Sequence, residues 1–144
     1  MNVPFSICSP KFKTSSFGYC FMLRVCSTII SENENQEYLS IYITLLRGEF
    51  DPILLYPFPY NIYLCLCDQS NQGQHIVSII KPNAKLLSFI CPTGEKNDEV
   101  GITKFCPLKY LKDIHSIYLK DGVFFIRIFI DFMNTGLNPF SVNN

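Results

Sequence analysis

Apolar residues fall on every second position in four separate stretches of this chain, and each such stretch predicts a β-strand with one buried face. In 19–26, Tyr19, Phe21, Leu23 and Val25 share one side, while Cys20, Met22, Arg24 and Cys26 share the other. In 38–45 the inward set is Leu39, Ile41, Ile43 and Leu45, and the opposite set is Tyr38, Ser40, Tyr42 and Thr44. The same period turns Ile62, Leu64 and Leu66 inward in 61–67, and Phe124, Ile126, Ile128 and Ile130 inward in 123–132. Weaker strands are predicted at 3–8, 75–80, 101–105 and 116–119.

Turn-forming residues separate these runs at short intervals, in 31–36, 47–59, 69–74, 92–99 and at Lys120-Asp121-Gly122. Short strands so punctuated predict an all-β antiparallel sandwich of about seven to eight strands. Only 107–113 reads as helical, with Pro107 where a first helical turn tolerates proline. One domain over 1–135 and a flexible tail over 136–144 are expected, because 144 residues suit a single core.

Charge changes little. Twelve basic residues balance twelve acidic ones and are scattered, which leaves no footprint for nucleic acid or an anionic membrane. The first residues lack a basic segment followed by an apolar one, and the longest apolar run, 123–130, is broken by Arg127. A cytoplasmic protein with no inserted segment is expected. The seven cysteines include no Cys-x-x-Cys pair and stand apart in sequence from His75 and His115. They read as reduced, mostly buried thiols, with Cys65 and Cys67 side by side on one strand face but lacking nearby partners for zinc. No metal, no cofactor and no catalytic residue is expected. An enzyme with a cysteine nucleophile and His75 or His115 as base would need a lowered thiol pKa and an oriented base, and no local signature supplies either.

The motifs carry more. Phe17-Gly18-Tyr19 runs into Phe21-Met22-Leu23-Arg24, followed by Leu45-Leu46-Arg47-Gly48-Glu49-Phe50-Asp51, Tyr56-Pro57-Phe58, Asp68-Gln69-Ser70 and Tyr118-Leu119-Lys120-Asp121. Their order and spacing resemble the C-terminal domain of the tumour-necrosis-factor-receptor-associated factors, the TRAF type of MATH domain, from about Phe5 to Phe132. The resemblance implies an eight-stranded sandwich that catalyses nothing and docks an extended receptor or adaptor segment at a sheet edge, as in β-strand addition. It starts at the family's second strand. A fragment or a reduced member is therefore expected, without the first strand, RING, zinc fingers or trimerising coiled coil.

Matched position by position, the resemblance assigns peptide binding to Arg24, Tyr42, Lys81, Leu87, Ser88, Phe89, Val100 and Gly101. Cys26 stands where many relatives carry an aromatic residue or histidine, and Val100 and Ile102 replace aromatics flanking the glycine in some relatives. Lys81 and the Leu86-Leu87 pair favour a ligand bearing glutamate. The implied function is a peptide-binding adaptor for short Pro-x-Gln or Pro-x-Glu motifs in cytosolic TNF- or Toll-type receptor signalling, with other TRAF-type chains as further partners through a family trimer. The alternative is a substrate-recruiting MATH domain of a ubiquitin-ligase adaptor or deubiquitinase.

Overall fold

Strict alternation builds the two longest strands, and their pairing fixes the first layer. The computed structural model describes residues 4–31 and 36–135. Strand β1 is Ser6–Cys8, β2 Phe12–Lys13, β3 Cys20–Ser31 and β4 Gln36–Leu46. Then follow β5 Tyr60–Leu66, β6 Ile76–Ile80, β7 Val100–Pro107, the single-turn helix α1 Lys109–Lys112, and β8 Ile126–Thr135. One sheet runs β1-β3-β4-β7, with β2 also paired to β3, and the other runs β6-β5-β8. Every pairing is antiparallel, so the fold is the expected all-β sandwich.

The inner faces are those the alternation marks. Leu39, Ile41, Ile43 and Leu45 of β4 are buried, as are Ile62, Leu64 and Leu66 of β5 and Tyr19, Phe21, Leu23 and Val25 in and before β3. These two faces interdigitate into one core. At its centre Phe58 is fully buried and meets the rings of Tyr19, Phe21 and Tyr60 edge-on, with centroids 4.7, 5.3 and 5.5 Å away. Each such pair adds about 0.5–1.5 kcal/mol beyond the area it covers. The Tyr19 hydroxyl donates to the Leu55 carbonyl at 2.7 Å, and burial pushes its pKa up to about 12, so the donor keeps its proton.

The signature motifs act as staples. Asp51 accepts the Gly48 N–H at 2.9 Å and the Tyr56 hydroxyl at 2.7 Å, tying the loop after β4 onto itself. The Asp68 carboxylate accepts the N–H groups of Ser70 and Gln74 at 2.7 and 2.9 Å, which closes the β5–β6 connection. The Gln69 amide donates to the carbonyls of Tyr118 at 2.7 Å and Val123 at 2.8 Å, and Lys120 Nζ returns to the Gln69 carbonyl at 3.1 Å. Backbone groups that would otherwise be orphaned are thereby satisfied.

Several expectations need correction. Residues 116–119 form no strand, because Ser116 Oγ accepts the N–H groups of Tyr118 and Leu119, both at 3.1 Å, and curls the chain into a turn. Pro107 closes β7 rather than opening a helix, so the helix shrinks to 109–112. β8 begins at Ile126, since Val123 is held in a tight turn by reciprocal backbone bonds with Lys120. The two-residue β2 was not foreseen, and β1 occupies only the end of the predicted 3–8 strand. The expected tail, 136–144, lies outside the described residues.

The inward face of β8 is only half-buried. Ile126, Ile128, Ile130 and Phe132 line a cleft of about 320 Å³ with Phe12, Lys13 and Thr14. Among the described strands β8 pairs only with β5, and its other edge has no described strand partner. Among the described residues, no helix is long and apolar enough to cross a membrane.

Candidate functional site

The outer face of the larger sheet carries a row of residues set by register: Cys8 opposite Arg24, Arg24 opposite Tyr42, and Tyr42 opposite Gly101. Alternation that buries Leu23 and Val25 turns Arg24 outward. Its guanidinium makes a two-point bond to one carboxylate, Nε to Glu99 Oε2 at 3.0 Å and Nη2 to Glu99 Oε1 at 2.6 Å. It lies 4.8 Å above the centre of the Tyr42 ring and reaches Ser6 Oγ at 3.4 Å. The bond to Arg24 holds the Glu99 carboxyl below its usual range against an opposing effect of burial, and the same bond raises the arginine further.

Hydroxyls continue the row. The Tyr42 hydroxyl lies 2.9 Å from Thr103 Oγ1. Beside it the fully buried Ser40 donates to the Thr103 carbonyl at 2.6 Å, with Thr28 Oγ1 2.7 Å away. β7 is the last strand of its sheet, so its outer edge is hydrogen-bonded to no other described strand. A charged fork, an aromatic wall and an unpaired strand edge therefore share one margin of the sandwich. Such a margin can take an extended chain as an added strand.

The eight sequence-assigned residues do not all meet there. Arg24, Tyr42 and Gly101 do, since Arg24 lies opposite Tyr42 and Tyr42 opposite Gly101, whereas Val100 lies opposite the inward Ile43 and packs against the core. A Cβ on Gly101 would fall 2.1 Å from the Ile41 carbonyl oxygen and 2.6 Å from Tyr42 Cα, so the close approach this glycine permits is to β4. Leu87, Ser88 and Phe89 form a short 3-10 turn. The Asn97 amide pins that turn near the start of β7 by donating to the Ser88 and Ile90 carbonyls at 3.2 and 2.7 Å, while the Asn97 N–H donates to Leu45 O at 3.0 Å. Leu87 is 64% exposed and available to a guest, whereas Ser88 and Phe89 are buried. Phe89 stacks on Phe58 and accepts the Phe58 N–H at 2.7 Å, a core role. Lys81 is exposed just after β6, in the other sheet.

Glu99, Asn97 and Thr103 were missed. No spacing rule joins Arg24 to a carboxylate seventy-five positions away, and only the β3-β4-β7 order brings them together. Among the described residues one further cluster of potential ligands, Cys65, Cys67 and His75, lies on the other sheet.

The profile of the TRAF/meprin, MATH domain family matches residues 4–127, and the chain belongs to that family. It is 33% identical to TNF receptor-associated factor 5 of Mus musculus over 129 residues, covering 88% of this chain and 22% of that protein. It is 31% identical to TNF receptor-associated factor 2 of Homo sapiens over 132 residues, covering 92% of this chain and 25% of that protein. Among solved structures, TRAF5 of Notothenia coriiceps superposes with a TM-score of 0.78 at 32% identity, covering 88% of this chain and 62% of that one. The chain thus spans only a minor part of the curated relatives it matches.

Proposed function

We infer that this domain is a non-catalytic, peptide-binding adaptor module that works in the cytoplasm in TNF- or Toll-type receptor signalling. Its guest is an extended Pro-x-Glu or Pro-x-Gln segment of a receptor tail or adaptor, laid along the free edge of β7. The observation that carries this reading is the Arg24 fork, which already grips a carboxylate beside an aromatic wall and an open strand edge. Glu99 then serves as a stand-in for the guest's acid, and an acidic peptide must displace it. Arg24 is suited to the exchange because a planar guanidinium binds carboxylates at two points.

Chemistry elsewhere argues against an enzyme. The fold does bring His75 near Cys65 and Cys67, but burial first and Cys67 second push the Cys65 thiol up, the reverse of nucleophile activation. Burial likewise pushes Cys106 up to about 11. The similarity to receptor-associated factors favours this reading over a substrate-recruiting role.

Titration calorimetry with a Pro-x-Glu peptide tests it. A dissociation constant on the order of micromolar is expected, with a loss of tenfold or more, about 1.4 kcal/mol, on Arg24→Ala. Glu99→Gln frees the fork and tightens binding of the same peptide. Absence of heat with the unsubstituted protein, or affinity indifferent to both changes, removes the assignment.

A further inference from the structure

The cysteine pair on β5 acquires a third companion only through the fold. Leu66 lies opposite Ile76, and continuing that antiparallel register by one step sets Cys67 against His75. Cys65 lies two residues back on the same outward face, between Val77 of β6 and Arg127 of β8. The ligand atoms of Cys65, Cys67 and His75 all lie within 4.8 Å of one another, with Cys65 buried, Cys67 half-buried and His75 exposed. From these positions we propose that Cys65, Cys67 and His75 form a binding site for a thiophilic d10 metal ion such as zinc(II), independent of the peptide face.

Donor chemistry, reach and a rigid frame favour the site. Two thiolates and an imidazole suit zinc and leave a dication electrically neutral. In a tetrahedral site with zinc–sulfur bonds of about 2.3 Å the sulfurs stand about 3.8 Å apart, close to the present separations, all within 4.8 Å. The Asp68 carboxylate holds the Ser70 and Gln74 N–H groups, the Tyr118 hydroxyl donates to the Gln74 carbonyl at 2.7 Å, and the Cys67 N–H donates to the Phe125 carbonyl at 3.0 Å. Both ends of the connection that carries Cys67 and His75 are therefore fixed before any ion arrives.

The imidazole's state defines how it binds. The Asp68 N–H donates to His75 Nδ1 at 2.9 Å, so the neutral ring carries its proton on Nε2. Ligation goes through the Nδ1 lone pair, which exchanges the Asp68 N–H for the metal, and both thiols release their protons to solvent. Three protein donors would leave a fourth position for water or a donor from a partner. The ion would join the end of β5 to the start of β6 across the outer face.

The experiment uses the full chain, reduced with a non-thiol phosphine and titrated with cadmium(II) and cobalt(II), followed by zinc competition against a chromophoric chelator. One equivalent per chain is expected, with an ultraviolet thiolate-to-metal charge-transfer band displaced by zinc. Cys67→Ser and His75→Gln, which alter accessible side chains and spare the core, should each weaken binding tenfold or more. Cys67→Ser should also halve the band, whereas Cys8→Ser and Cys91→Ser at exposed cysteines change neither. A band absent in the unsubstituted chain, one that survives Cys67→Ser at full strength, or affinity unchanged by His75→Gln overturns the proposal. Peptide binding is unaffected by Cys67→Ser and His75→Gln, which lie on the other sheet, so the two assignments stand or fall separately.

Discussion

Gly101→Ala tests the geometry on which the candidate face is built. The added methyl would sit 2.1 Å from Ile41 O, 2.6 Å from Tyr42 Cα and 2.9 Å from Ile41 C, all backbone atoms of β4 that no rotamer change can move aside. Carbon contacts relax only at about 3.5 Å or beyond, so β7 must retreat by roughly 1 Å at the residues paired with Ile41 and Tyr42. Overpacking of this kind costs about 1–3 kcal/mol, and weakening one ladder bond adds about 0.5–1.5 kcal/mol. The reduced freedom of the unfolded chain returns about 0.4–1 kcal/mol. The central values leave a net loss of about 2 kcal/mol in urea unfolding, a midpoint shift of about 1 M at ordinary m-values. Lys104→Ala, an exposed change on the same strand, should stay within about 0.5 kcal/mol of the parent. If Gly101→Ala also falls within that margin, the tight β4–β7 approach does not constrain this position and the account of its glycine fails.

Other outcomes follow from the staples and the core. Leu64→Ala, at a fully buried position, should cost about 2–5 kcal/mol by chemical denaturation, and less than about 1 kcal/mol would mean that the two sheets collapse around the gap. Gln69→Ala leaves the Tyr118 and Val123 carbonyls without its amide and should cost about 1–3 kcal/mol, with amide exchange quickening first in 118–123. The Asp68 carboxyl is held below its usual range, chiefly by hydrogen bonds from Ser70. A depressed folded pKa gives stability that is present above the unfolded pKa and lost as pH falls through the folded one, so melting temperature should drop between about pH 5 and pH 2. Asp68→Asn should flatten that drop, and an unchanged slope would contradict the role given to this carboxylate.

What the sequence revealed followed physical periodicity. Ile62, Leu64 and Leu66, and Leu39, Ile41, Ile43 and Leu45, were legible because a strand with one face on the core needs apolar side chains on alternate positions. Residues 116–119 defeated the same reasoning, since one hydroxyl, Ser116 Oγ, outweighs the propensity of Ile117 and Tyr118. At the site, Arg24 and Tyr42 were readable as outward residues of neighbouring strands, but Glu99 was invisible because its partner is set by sheet order. Phe89, matched to the ligand face by the resemblance but equally apt as a core aromatic, is packed against Phe58. His75 stands eight residues beyond Cys67 and meets it only when the hairpin register is known.

The margin of β8 has a practical consequence for anyone who purifies this domain. Phe125 just before β8, Phe129 on its outward side, and Val77 and Ile79 of β6 are exposed and form an apolar patch around Arg127. Apolar patches of that type recruit copies of themselves at high protein concentration. Yield and shelf life should therefore improve with Phe129→Lys, which places a charge on the patch without touching the core.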